Sequence, residues 1–142
     1  MRTVVAPLAP EIEAQLAGLG PELRGVAEGY VARLRMEPFL GHLLGRGLLG
    51  WAEARAVYFD ADSRPAELLG EHRGRLRLAS EDPSAGPRYR VVYRLLVAPS
   101  AAVRVVQVLA VGVGHRAPGG SDAYRDAGLL LAEMLKREQR RT

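Results

Sequence analysis

The order of strand-like and helix-like segments predicts an α+β domain: a small, antiparallel-rich sheet, an N-terminal αα-hairpin on one of its faces, and a C-terminal helix. Two observations carry this. Residues 88–113 (RYRVVYRLLVAPSAAVRVVQVLAVGV) alternate apolar and polar side chains along two strand-length runs joined by a short Pro-Ser turn, the signature of a hairpin. Ahead of it the apolar residues recur at three and four, the helical period.

The elements follow in order. Thr3-Val4-Val5-Ala6 is a strand closed by Pro7 and Pro10. From Glu11, Ile12, Leu16 and Leu19 mark a first helix that stops at Gly18 to Pro21. Pro21 suits a first helical turn, and Leu23, Val26, Tyr30 and Leu34 line one face of a second helix that ends before Pro38. Residues 39–50 are broken by glycine and read as a packed loop. ARAVYFD, 54–60, is strand-like, and residues 60–87 are an extended loop or insertion with one alternating fragment, Arg75-Leu76-Arg77-Leu78. After Gly119-Gly120, Ser121 is placed to cap a last helix with Tyr124, Ala127, Leu131 and Leu135 on one face. The expected order is β-α-α-β-β-β-α in one domain, 1–142, with the helices on one face of the sheet. Arg90 and Arg94 share the other face with Val92, so they are expected to mark an open face.

Composition narrows the function classes. The chain has 142 residues, 48% hydrophobic and 25% charged, which fits a single core. It has no cysteine, hence neither a disulfide framework nor a thiolate site. No run approaches the ~18 apolar residues of a membrane span, and the N-terminus reaches glutamate too soon for a secretion signal, so a cytoplasmic location is expected. The net charge is +4, and 19 of the 20 basic residues are arginine, Lys136 being the exception. Guanidinium is a planar donor fork suited to phosphate, so nucleic acid or an acidic protein is the expected partner class. The three histidines, His42, His72 and His115, lack metal-ligand spacing, and no metal or cofactor is expected.

Three pieces in order carry a family resemblance: Tyr89-Arg90-Val91-Val92-Tyr93, the strand VQVLAVGVGHR ending at Arg116, and Tyr124 followed by Arg125-Asp126-Ala127. Behind an αα-hairpin of this size, they resemble the RelE/ParE toxins of bacterial type II toxin–antitoxin modules. The resemblance implies a RelE-like fold and, on the RelE side of the family, a ribosome-dependent endoribonuclease that cuts mRNA without metal. It places Arg90, Arg116 and Tyr124 as catalytic residues. Arg55 or the pair Arg75 and Arg77 would form the basic RNA-binding strand, with Arg94 and His115 as further RNA contacts. The partners implied are a cognate antitoxin and mRNA on the ribosome, with no membrane. A ParE-like gyrase inhibitor and a catalytically silent RelE-fold binding module are the alternatives.

In that chemistry the 2′-hydroxyl attacks the adjacent phosphorus. Arg90 and Arg116 stabilise the phosphorane, and Tyr124 takes part in proton transfer or stacks on a base. Neighbouring guanidiniums are expected to lower the Tyr124 pKa. The three residues should converge on one concave patch opposite the αα-hairpin, and the apolar face of the last helix, through Leu131 and Leu135, should offer a groove to the antitoxin.

Overall fold

A computed structural model of the chain describes residues 1–44, 53–61, 88–114 and 122–140. Its elements are β1 (Arg2–Val5), α1 (Pro10–Ala17), α2 (Pro21–Leu34), β2 (His42–Leu43), β3 (Ala54–Phe59), β4 (Tyr89–Ala98), β5 (Val103–Val113) and α3 (Ala123–Arg140), with one 3₁₀ turn, Pro99–Ala101, between β4 and β5. One five-stranded sheet runs in the order β1-β5-β4-β3-β2. Only β1 is parallel to its neighbour; the other pairs are antiparallel. The fold is mixed α and β, as expected. The Arg75–Leu78 fragment lies outside the described residues, and β2 falls within a segment expected to be loop.

The strand pair 88–113 forms because alternation gives each strand two usable faces. Val91, Tyr93 and Leu95 of β4, with Val106, Val108 and Val111 of β5, face α1 and α2 and build one core with Ile12, Leu16, Tyr30 and Leu34. A bulge at Val92/Tyr93 skips Leu109 in the pairing. Leu109 and Ala110 therefore both pack in the other core, since a bulge puts two residues opposite one. Beyond the end of β1, α1 covers the edge of β5: the Val111 amide donates to Gln15 Oε1 at 2.7 Å.

That second core corrects the expected layering. The helices do not share one face. Tyr124, Ala127 and Leu131 of α3 pack with Val92, Leu109, Ala110, Ala54 and Ala56 on the side away from the αα-hairpin. The alanines of β3, β5 and α3 leave room for the helix to lie close to the sheet. Arg90 and Arg94 are consequently under a helix, not on an open face. The expected antitoxin groove is corrected as well: Leu131 is buried and Leu135 packs against the same core, so the sheet already occupies the apolar face of α3. Asp122, one residue after the expected cap, holds the start of α3, its Oδ1 accepting from the Arg125 amide at 2.8 Å.

Candidate functional site

Arg90 is the second residue of β4, opposite Tyr58 of β3 on one side and Gly112 of β5 on the other. Pairing across the ladder puts Tyr58 beside it on the same face, and the Arg90 guanidinium carbon lies 4.0 Å from the centre of the Tyr58 ring. Its Nε donates to the Tyr124 hydroxyl at 3.0 Å and its Nη1 to the Tyr89 carbonyl at 3.1 Å. Gly114 makes this possible, because a Cβ there would stand 2.5 Å from Arg90 Cγ. The glycine in VGVGHR therefore has a physical reason: it admits the arginine of the neighbouring strand. On the far side of Tyr58, the His42 ring stacks at 5.0 Å with an interplanar angle of 22°.

Across strands β2, β3 and β4 to α3, these side chains make a continuous row: imidazole, phenol ring, guanidinium, phenol. Arg90 is only 8% exposed and Tyr124 only 7%. Burial pushes the Tyr124 hydroxyl up to about 12, and the opposing pull of the Arg90 charge is the smaller influence, partly offset by Tyr58. The expectation of a lowered value is corrected accordingly. At neutral pH Tyr124 is a protonated phenol, able to donate a proton but not to take one. A cleft of about 300 Å³ is lined by the chain neighbours of both residues, Tyr89 and Ala123, together with Gln15, Gly112, Val113 and Asp126.

The structure thus joins two of the three expected catalytic residues, Arg90 and Tyr124. Arg116, and with it His115, Arg75 and Arg77, lies outside the described residues. Arg94 is corrected. It is fully buried, donating from Nε to Gln107 at 2.6 Å and from Nη2 to Glu138 of α3 at 3.0 Å. In this arrangement it has no access to RNA and ties α3 to the sheet. Arg55 sits on the opposite face, beside Tyr93, and donates to the Gly41 carbonyl at 2.8 Å.

Three contributors were not singled out from the sequence. Tyr58 could have been found from the β3–β4 register, had it been known. His42 had no periodic signal, since its strand is two residues long. Gly114 carried one, a glycine at the end of a strand-like run, which marks a close approach by other atoms. Among the described residues no group of three or more His, Cys, Asp or Glu could hold a metal ion, and no helix is long and apolar enough to cross a membrane. No protein-family model matches the chain, and no curated protein or solved structure matches it.

Proposed function

We propose that this protein is the toxin of a type II toxin–antitoxin module, a RelE-like, metal-independent endoribonuclease that cuts mRNA on the ribosome in the cytoplasm and is held in check by a cognate antitoxin. The observation that carries the reading is the Arg90–Tyr124 hydrogen bond, which joins residues 34 apart in sequence that the resemblance independently places in one site. The sheet order, with β1 parallel to β5 and the αα-hairpin opposite α3, supports a RelE-like topology in which β2 is an added edge strand.

In this reaction the 2′-oxygen bonds to phosphorus, the bond from phosphorus to the 5′-oxygen breaks, and a 2′,3′-cyclic phosphate remains. Arg90, and Arg116 as the resemblance assigns it, neutralise the extra negative charge of the phosphorane; loss of one such donor typically costs ~10²–10³ in rate. Tyr124, held protonated by burial, gives its proton to the departing 5′-oxygen. An imidazole suits removal of the 2′ proton; the row carries one in His42, stacked on Tyr58, and the resemblance assigns His115 to RNA.

The test is purified ribosomes programmed with mRNA, with primer extension as the readout. Cuts in the A-site codon that require the wild-type protein are expected. Intact mRNA alongside double-strand DNA breaks by gyrase would instead establish the ParE-like alternative. A second reading, a silent RelE-fold binding module, is favoured by one observation: both strand arginines, Arg90 and Arg94, are buried and bonded within the protein. It predicts neither cuts nor breaks.

A further inference from the structure

The end of the sheet farthest from Arg90, on the αα-hairpin face, carries a different arrangement of arginine. Phe39 lies over it with its ring near two guanidiniums, Arg55 at 5.1 Å and Arg104 at 4.8 Å from the ring centre. Phe39 is held there by its neighbours: the Tyr93 hydroxyl donates to the Pro38 carbonyl at 2.7 Å and accepts from the Gly41 amide at 2.9 Å. Gly41 has no alternative, since a Cβ would stand 2.9 Å from the Tyr93 ring.

The ladder extends this cluster sideways. Leu43 pairs with Arg55 and Val97 pairs with Arg104, and directly paired residues share a face. The result is a stripe that runs obliquely over the sheet, from Leu43 and Arg55, level with Tyr93 of β4, past Phe39 to Arg104 and Val97, four residues further along β4. Leu43 is 56% exposed, Phe39 49% and Val97 53%. They are three of the six large hydrophobic side chains that stand exposed among the described residues. Neither Arg55 nor Arg104 has a carboxylate within salt-bridge distance among the described residues, where the bridges formed are those of Arg24, Arg33 and Arg94.

We infer that this stripe is a docking surface for an acidic, amphipathic protein segment, one whose apolar side chains cover Leu43, Phe39 and Val97 while its Asp or Glu side chains meet Arg55 and Arg104. Charge complementarity selects the partner. Two cations with no carboxylate beside them among the described residues ask for anions, and the apolar residues around them ask for something that buries hydrocarbon. A phosphodiester strand would satisfy the arginines but gain nothing from Leu43 and Val97. Three strand spacings, roughly 14 Å, separate β2 from β5, and four residues of β4, roughly 13 Å, separate the Arg55 row from the Arg104 row; the diagonal, roughly 19 Å, is a span that an α-helix covers in about thirteen residues. The partner therefore lies obliquely across the strands, in the manner of a helix on a groove. The inference is independent of the ribonuclease reading, because the stripe is on the other face and at the other end of the sheet from Arg90 and Tyr124.

The test needs no ribosome. Fluorescence anisotropy would follow an 18-residue blocked helical peptide of Leu, Ala and Glu, with its leucines on one face and its glutamates flanking them. Beside it run the same peptide with Lys for Glu and a 12-nucleotide uridine RNA. The Glu peptide is expected to bind at least about tenfold more tightly than the Lys peptide, and to lose about tenfold on Arg55→Gln with Arg104→Gln. Arg55 also braces Gly41, so a second variant guards against a folding defect. Val97→Glu changes only an exposed residue and puts a like charge beside the acidic partner; a similar loss is expected there, with an unchanged melting temperature. Equal binding of the two peptides, or variants that bind the Glu peptide like wild type, would overturn the inference. So would RNA binding that the arginine variants abolish while the Glu peptide fails to bind, which would reassign the stripe to nucleic acid.

Discussion

Four arginines of the same sheet meet two opposite fates. Arg90 and Arg94 of β4 point toward α3 and are sealed beneath it, each bonded to side chains of other elements. Arg55 and Arg104 point toward the αα-hairpin but lie past the ground the hairpin covers, and they settle on the half-exposed Phe39 ring. Strand alternation assigns each residue a face; what packs on that face, and how far it reaches, decides whether the guanidinium is buried or available. The pair that looks most like a solvent-facing site in the sequence is the pair that the fold encloses.

The largest expected effect comes from breaking the enclosed side at Arg94. Arg94→Ala leaves a cavity under α3 and strips Gln107 and the exposed Glu138 of their donor, and is expected to cost about 3 kcal/mol in urea unfolding, mostly through the cavity. Arg94→Met refills the volume without a charge and should stay within about 1 kcal/mol of wild type, because it removes the cost of burying a guanidinium while the Glu138 carboxylate, more than half exposed, returns to water. If alanine and methionine destabilise equally, the ionic contacts matter more than the packing.

Alkaline unfolding comes next. Burial pushes the hydroxyls of Tyr30, Tyr93 and Tyr124 up to about 12, while in the unfolded chain tyrosine ionises near ~10. Above the unfolded value the unfolded state holds fewer protons than the native state, so stability falls with rising pH. It should be level up to about pH 10 and then decline through about 12. Melting curves between pH 8 and 12 check this, with tyrosinate absorbance recorded in parallel. Tyrosines that ionise near 10 without loss of structure would contradict it.

Smaller still is Tyr30→Phe. The Tyr30 hydroxyl is buried in the hairpin-side core with no hydrogen-bond partner among the described residues, so its removal should stabilise the protein by about 1 kcal/mol at pH 7 and flatten the alkaline decline. Smallest is Arg104→Gln, which removes one cation from a half-exposed ring and is expected to change stability by no more than ~0.5–1 kcal/mol. A large loss there would mean that the stripe holds the fold together and is not set aside for a partner.

The parts of the fold that were legible were those with a repeat to read. Ile12 and Leu16, or Tyr30 and Leu34, recur at helical spacing and are buried, and the alternation of β4 and β5 marked both strands. What was not legible depended on contacts distant in sequence. Nothing local says that α3 turns its Tyr124–Ala127–Leu131 face onto the arginine side of the sheet, although Ala54, Ala56 and Ala110 make that packing possible. The Tyr124 pKa went the other way from expectation for the same reason: the charge of Arg90 was foreseen, but the burial that outweighs it comes from the helix. His42 joined the row of rings only through a two-residue strand, too short for any period.

In the proposed ribonuclease Arg90 and Tyr124 act as one unit, and a double-mutant cycle read in mRNA cleavage on ribosomes tests that directly. Arg90→Gln and Tyr124→Phe, each first shown to be folded, are expected to slow cutting by ~10² or more apiece. The double variant should be no slower than the worse single one, as for residues that work together. Losses that multiply would show that the two act separately, and a wild-type protein that leaves ribosome-bound mRNA intact would contradict the account outright.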